Sequence, residues 1–367
     1  MEYLSSSAPI PIQAYRQLDL FSPEGLFSEI EVEVNSWMPK FCDPALFPAL
    51  SEGELHEISK FRYSRHYMLE AGGELSVSVN AWVSDDHRMR SLEILLHRDS
   101  KPIEFTIVTP TPKLFSKNLK DCLMGVFRSN LEKSCKLDLI VSAGPDFNYS
   151  RAVNRGMSKS LGDIILLNDD CYLNPGTISS MVSARVSSEN IVGCLLVYPD
   201  GSIQHSGGKV VLNPVRILYR LAVEKRAPVY GLKLMVRLYV QNSRLMAIYN
   251  STEQKPGKLD FVTAALCLIP RKIYDTVGGF DEGFNNELDD VDFCFRARSM
   301  GFGLAMVTDS PAFHEEHASL KKISIDNAAN YSRFVAKWFP RKQKSLWHKQ
   351  PRVAVKILEA VVNAFSV

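Results

Sequence analysis

One stretch constrains the fold more than any other: Leu161–Leu173, LGDIILLNDDCYL. Ile164–Leu167 is an uninterrupted apolar run, and such a run suits a central strand covered on both faces. It delivers Asn168, Asp169 and Asp170 to its carboxyl end. Burying three polar groups is costly, so they belong at the mouth of the sheet, where open α/β sheets bind ligands. Two adjacent carboxylates repel each other unless a cation or protons compensate. A divalent cation holding a phosphate would compensate them, since hard cations prefer oxygen ligands. A strand end whose acids cap the following helix would explain them equally well. The stretch alone leaves both readings open.

The surrounding pattern alternates strands and helices. Phe105–Thr109 reads as a buried strand stopped by Pro110 and Pro112, and Leu119, Cys122, Leu123, Val126 and Phe127 follow at helical spacing. Leu137–Val141 is the next strand, and Tyr149–Ser160 a helix ended by Gly162. Beyond Asp170, Asn174-Pro175 reads as a helix start with Asn as N-cap, and Ile191–Val197 as a strand. This order predicts an α/β fold with a mostly parallel sheet and right-handed crossovers. Pro9, Pro11, Pro23, Pro39, Pro44 and Pro48 argue against long helices in the first fifty residues. Glu74–Val83 alternates as a strand does, and Ser91–His97 suits a strand or a short helix. The division expected is a small β-containing accessory region over 1–100, the main domain over 101–320, and a helical C-terminal segment over 321–367.

Bulk properties exclude several classes. The chain has 367 residues and a net charge of +2, which carries no nucleic-acid signature, and no nucleic-acid partner is expected. Its seven cysteines are scattered, odd in number and without CxxC spacing, so neither zinc nor a disulfide framework is indicated. There is no signal-peptide pattern and no run long enough to span a bilayer. A reduced, cytoplasmic setting is therefore expected. Charge is nevertheless uneven. Residues 211–258 carry nine basic residues against Glu224 and Glu253, with Lys233, Arg237, Gln241 and Arg244 on one helical stripe. The region from Lys337 onward is basic too, and Val353–Phe365 reads as an amphipathic tail. Contact with the inner face of an anionic membrane and a solvated helix are both compatible with these segments.

A second acidic cluster, Glu287, Asp289, Asp290 and Asp292, follows the Val277–Glu282 loop with its paired glycines and opens the helical pattern VDFCFRARSMG. Capping explains part of it, but the cluster holds more acid than a helix N-terminus needs. His205 stands before paired glycines in SIQHSGG, where it suits either a surface hairpin or an acceptor-facing position. His314 follows the strand Gly303–Val307, and HEEH at 314–317 lacks the spacing of the HExxH zinc signature.

Five stretches, in order, resemble a family-2 glycosyltransferase of the GT-A fold: FTIVTPT at 105–111, FNYSRAVNRG at 147–156, LLNDD at 166–170, YPDGSIQHSGG at 198–208 and VGGFDEGFNNELDDVDFCFRAR at 277–298. The stretch at 198–208 looks most like transferases that build bacterial surface polysaccharides, rhamnosyltransferases among them. The resemblance implies a nucleotide-diphosphate sugar donor, a divalent metal (Mg2+ or Mn2+), and inverting transfer of a hexosyl or deoxyhexosyl group to a glycan or lipid-linked acceptor. It implies Asp170 as metal ligand with Asn168 and His314, and Asp290 as general base. It implies a donor pocket from Thr109, Pro110, Asn148, Asn154 and Asp169, and an acceptor side near His205, Gly279, Phe280 and Asp289. Three positions depart from the pattern. Asp289 stands where glutamate is usual, Ala264 where glycine is usual, and Ser142 or Asp146 must serve where an aspartate ordinarily meets the nucleotide base.

The chemistry fits these residues on its own terms. Negative charge develops on a departing diphosphate, and a metal at Asp170 stabilises it. A carboxylate at Asp290 can take the acceptor's proton. Carboxylates paired for glycoside hydrolysis would leave the phosphate-site features without a purpose. The alternative is a non-catalytic GT-A-like domain that binds carbohydrate or protein.

Overall fold

The computed structural model describes residues 19–20, 22–41, 59–69, 72–83, 89–129, 133–142, 147–185, 189–212, 237–241, 244–250, 258–315 and 327–339. A short strand β1 (Asp19–Leu20) and helix α1 (Pro23–Phe41) precede three long strands, β2 (Ser59–Met68), β3 (Glu74–Val83) and β4 (Met89–Arg98). Strands and helices then alternate as β5 (Phe105–Thr111), α2 (Lys117–Arg128), β6 (Cys135–Val141), α3 (Tyr149–Ser158) and β7 (Asp163–Leu167). Next come β8 (Cys171–Tyr172), α4 (Thr177–Ala184), β9 (Asn190–Val197), β10 (Ile203–His205), β11 (Gly208–Leu212), β12 (Arg237–Gln241) and β13 (Arg244–Asn250). The series ends with β14 (Leu266–Ile269), α5 (Arg271–Val277), α6 (Asp289–Ser299), β15 (Gly303–His314) and α7 (Asn327–Trp338).

The main sheet runs β1-β2-β3-β4-β6-β5-β7-β14-β9-β15-β8, with β10 on β9, and β11-β13-β12 form a second sheet. Strand β5 is parallel to β6 and β7, and β15 is parallel to β9. Strand β14 is antiparallel to both its neighbours, and β4 is antiparallel to β6. The sheet is therefore mixed, not mostly parallel as expected. Parallel pairing needs a crossover that returns the chain to the starting end. No crossover helix separates the loop at 258–265 from β14, which enters the sheet at the end where β7 leaves it.

The apolar run identified above is the centre of the molecule. Ile165 and Leu167 of β7 belong to one core and Ile164 and Leu166 to the other, all fully buried. The N-terminal strands extend the same sheet, β4 pairing with β6 from Ser91↔Ile140 to Leu96↔Cys135. The proline argument fails at α1, which is 19 residues long. Pro23 occupies its first position, where a missing N–H is harmless, and Leu26, Phe27, Ile30 and Val34 bury one face.

Other local expectations change too. Arg237, Gln241 and Arg244 of the expected helical stripe lie instead in the antiparallel pair β12–β13, in register at Gln241↔Arg244. Tyr239, Val240, Ile248 and Tyr249 are strand-favouring residues, and only two residues separate the strands. Lys233, Asp146, most of the basic segment at 213–236 and the tail at 340–367 lie outside the described residues. Asn174 is not the cap of α4: Gly176 holds that position at φ +94°, and Asn174 donates to the Pro311 carbonyl at 2.7 Å. Strand β14 begins only at Leu266, and β15 runs past Pro311 to His314 with a register shift between Val307 and Ala312. Helix α7 docks by Phe334, fully buried beside Phe284 and Phe295. Among the described residues no helix is long and apolar enough to cross a membrane.

Gly162 joins α3 to β7 at φ +67°, where a Cβ would run into the Glu104 carbonyl. Gly162→Ala should lower the unfolding free energy by about 1–3 kcal/mol in urea titration, and a neutral result would contradict this packing.

Candidate active site

The site grows from the carboxyl end of β7. Asn168 N donates to Ala265 O at 2.9 Å, which ties the strand exit to the loop before β14. Asp169 is buried and accepts from the Thr111 hydroxyl at 2.8 Å, joining the exits of β7 and β5. Asp170 precedes β8, which pairs with the end of β15 at His314↔Cys171. This pairing brings His314 Nε2 to 3.2 Å from Asp170 Oδ1.

The imidazole's state follows from its other side. Gln204 Nε2 donates to His314 O at 3.3 Å, which orients the amide so that Oε1 faces His314 Nδ1 at 2.8 Å. Nδ1 therefore carries the proton, and in the neutral ring Nε2 presents a lone pair to the Asp170 carboxylate. Nε2 has no hydrogen-bond partner despite this proximity, so two acceptors face each other in a buried setting. A cation or an added proton completes such a pair. Asn168 Oδ1 and Thr109 Oγ1 are also buried without hydrogen-bond partners among the described residues.

The second cluster opens α6. Leu288 and Asn286 precede it at φ +67° and +55°, conformations that bulky L-residues rarely adopt and that gather at functional sites. Asp289 is buried and accepts from Ser150 Oγ at 3.0 Å and from Asp290 N at 3.0 Å. Half-buried Asp290 accepts from Val291 N at 2.7 Å on Oδ1 and from Ala264 N at 3.2 Å on Oδ2. Burial, and for Asp289 the adjacent Asp290 charge, overcome the favourable helix N-terminus. Asp289 is pushed up to about 7 and Asp290 above the ordinary carboxylate range. Asp292 is not part of this group. It is fully buried elsewhere, bound by Arg296, Lys337 and the Trp338 indole.

Two links bring the clusters to one end of the sheet. Ala264 N holds Asp290 while the next residue, Ala265, binds Asn168. Tyr149 donates its hydroxyl to Ala264 O at 2.9 Å, and burial together with the charges of Asp289, Asp290 and Asp170 drives its phenol upward.

Other expected residues have different surroundings. Asn148 caps α3 through Arg151 N at 2.8 Å and donates to the Glu282 and Phe284 carbonyls. Asn154 is bound at both amide ends to Phe280 and Glu282. Both asparagines thus pin the glycine loop to α3. A Cβ on Gly279 would strike Asn154, and Phe280 is buried against Phe293 at 4.7 Å, so this pair forms a latch and not an open acceptor surface. Pro110 is buried in β5, and half-buried Ser142 donates its N–H to Thr111 O at 2.8 Å. His205 is buried and accepts from Thr263 N at 3.2 Å, so it does not face solvent as an acceptor contact would. Sequence reasoning missed Tyr149, Ser150, Gln204 and Thr263. Tyr149, Ser150 and Gln204 sit inside the motifs quoted above, but their contacts come from elements distant in sequence.

A divalent cation fits the donor set of one carboxylate and one imidazole lone pair, with Asn168 Oδ1 available at the same strand end. Among the described residues no three His, Cys, Asp or Glu side chains form a ready-made metal centre, so a ligand's oxygens would have to complete the coordination.

No family model matches the chain. The chain is 33% identical to the uncharacterized protein y4gI of Sinorhizobium fredii (strain NBRC 101917 / NGR234) over 177 residues, 47% of this chain and 17% of that protein. It is 25% identical to the O-antigen biosynthesis protein RfbC of Myxococcus xanthus over 193 residues, 52% of this chain and 14% of that protein. The matched region thus spans less than a fifth of either relative. Among solved structures, the mannosyltransferase PcManGT from Pyrobaculum calidifontis, in complex with GDP-Man and Mn2+, aligns with a TM-score of 0.39 and 12% identity, covering 71% of this chain and 74% of that one. That overlap is too loose to carry any residue across.

The raised Asp289 carboxyl has a consequence for stability. The folded chain holds that proton up to about pH 7 and the unfolded chain only to the usual carboxylate range. Its contribution is complete at low pH and is lost as pH rises toward and through 7. Asp289→Asn should flatten the decline of the denaturation midpoint between about pH 4 and 7. An unchanged slope would contradict the burial of this charge.

Proposed function

We propose that the chain is an inverting glycosyltransferase that moves a sugar from a nucleotide-diphosphate donor to a hydroxyl of a glycan or lipid-linked acceptor. The observation that carries this reading is the facing pair of acceptors at Asp170 and His314, linked through residues 263–265 to the carboxylate of Asp290. The resemblance of five ordered motifs, and the similarity to a protein named for O-antigen biosynthesis, support the same reading.

Asp170 and His314, with Asn168, would hold a divalent cation. When bound, that cation supplies positive charge for the departing diphosphate. Asp290 takes the acceptor's proton. Its backbone donors orient the carboxylate, and its raised affinity for protons makes it a better base than an exposed aspartate. Tyr149 holds Ala264, which in turn holds Asp290. Thr109 in β5 and Ser142 after β6 are the proposed donor-side residues, with Asp146 proposed from the motif alone.

A non-catalytic, carbohydrate-binding reading is favoured by one observation: Asn148 and Asn154 are consumed by the glycine loop and leave fewer donor contacts. Calorimetric titration with UDP-, GDP- and dTDP-sugars in the presence of Mn2+ separates the two, since the transferase must bind one of them.

With the donor identified from such a panel by nucleotide release, Asp290→Asn should reduce kcat about 10²–10⁴-fold with little change in donor affinity. Transfer retained at the wild-type rate would remove Asp290 from its role. The acid limb of kcat/KM should lie above the ordinary carboxylate range, following the direction of the Asp290 shift. A limb at or below that range would contradict it.

A further inference from the structure

The SIQHSGG stretch lies between the two halves of the site. Strand β10 carries Gln204 and His205, both buried, and successive strand side chains point to opposite faces. Gln204 turns to His314, its Oε1 accepting a hydrogen bond from Nδ1–H and its Nε2 donating to the His314 carbonyl. His205 turns the other way, its Nε2 accepting from Thr263 N at 3.2 Å. Gly208 exchanges backbone hydrogen bonds with Phe261 and Asp260, at 2.9 Å each. A Cβ there would enter the Phe261 ring, so only glycine lets the strand lie this close to 259–263.

We propose that Gln204 and His205 are the positioning residues of the site, Gln204 setting the tautomer of His314 on the cation side and His205 holding the 263–265 segment that grips Asp290 on the base side. This rests on the function proposed above for what the two sides do.

The cation side follows from tautomer chemistry. A metal ligand must offer a lone pair, and the hydrogen bond at the far nitrogen decides which nitrogen offers it. Without an acceptor at position 204, the buried Nδ1–H loses its partner. The ring then gains by moving the proton to Nε2, where Asp170 accepts it and the lone pair is lost. The base side follows from backbone continuity. Thr263 gives its N–H to His205 and its hydroxyl to Asp290, Ala264 gives its N–H to Asp290, and Ala265 receives Asn168. Asp289, Tyr149, Cys267 and Cys294 also lie around Asp290. Removing the His205 acceptor therefore loosens the donors to Asp290 and leaves those neighbours in place.

The test uses the full chain and two readouts that need no turnover: Mn2+ binding by calorimetry with a nucleoside diphosphate present throughout, and the Asp290 titration by 13C NMR of carboxyl-labelled protein, assigned against Asp290→Asn. Gln204→Met, which keeps the size and loses the acceptor, should weaken Mn2+ binding about tenfold or more and leave the Asp290 midpoint unmoved. Gln204→Glu should retain binding. His205→Leu should raise the Asp290 midpoint and leave Mn2+ affinity unchanged, and His205→Gln should restore the wild-type midpoint. Should His205→Leu not fold, His205→Asn, too short to reach Thr263, reads the same midpoint. Wild-type affinity in Gln204→Met, a wild-type midpoint in His205→Leu or His205→Asn, or both readouts moving together in each variant would overturn the proposal. Wild-type protein that binds no Mn2+ would overturn the cation side of the proposed function and the Gln204 role with it, while the His205 role stands or falls on the NMR midpoint.

Discussion

The contact between Asp170 and His314 is the constraint around which this fold is arranged. Two acceptor atoms stand 3.2 Å apart in a buried setting, and their approach is enforced by backbone pairing of β8 with the end of β15. Strand β15 reaches β8 beyond a shift in register at Val307/Ala312, and β9 pairs with β15, β14 and β10. A cation or a proton between the two acceptor atoms would relieve their opposition.

The other half of the site obeys a different balance. The N-terminus of α6 favours negative charge, yet burial dominates and pushes both Asp289 and Asp290 toward their protonated forms. Leu288 and Asn286 in left-handed conformations turn the chain sharply enough to present these acids to Ala264 and Ser150. The loop is held from two sides. Asn148 and Asn154 grip it from α3, and Asn330 of α7 exchanges two hydrogen bonds with Asn285 at 2.9 Å each. Asn148 and Asn154, expected to touch a donor, thus hold the loop that leads to the acids.

What was legible in the chain divides along the same line. Short-range patterns were readable: the apolar run of β7, the helical face of α2, and the two acidic clusters each follow from local spacing. Long-range pairing was not. Nothing local to Leu266–Ile269 reveals that it runs antiparallel between β7 and β9, and the basic stripe at 237–244 satisfied helical spacing although strand-favouring residues prevailed. Proline counts misled at α1, because Pro23 takes the first helical position, where no N–H is needed, and Pro39 falls only in the last turn. Asp170 and His314, quoted from separate stretches, do stand 3.2 Å apart, whereas neither setting weighed for His205, a surface hairpin or an acceptor-facing position, includes its buried contact with Thr263, which lies 58 residues away.

The central claim is that Asp170 and His314 share a divalent cation. Electron spin-echo spectroscopy of the Mn2+-loaded chain with a nucleoside diphosphate tests it most directly. The account predicts a nitrogen coupling from one imidazole that disappears in His314→Ala. A bound Mn2+ without that coupling, or a coupling that survives the substitution, would contradict it.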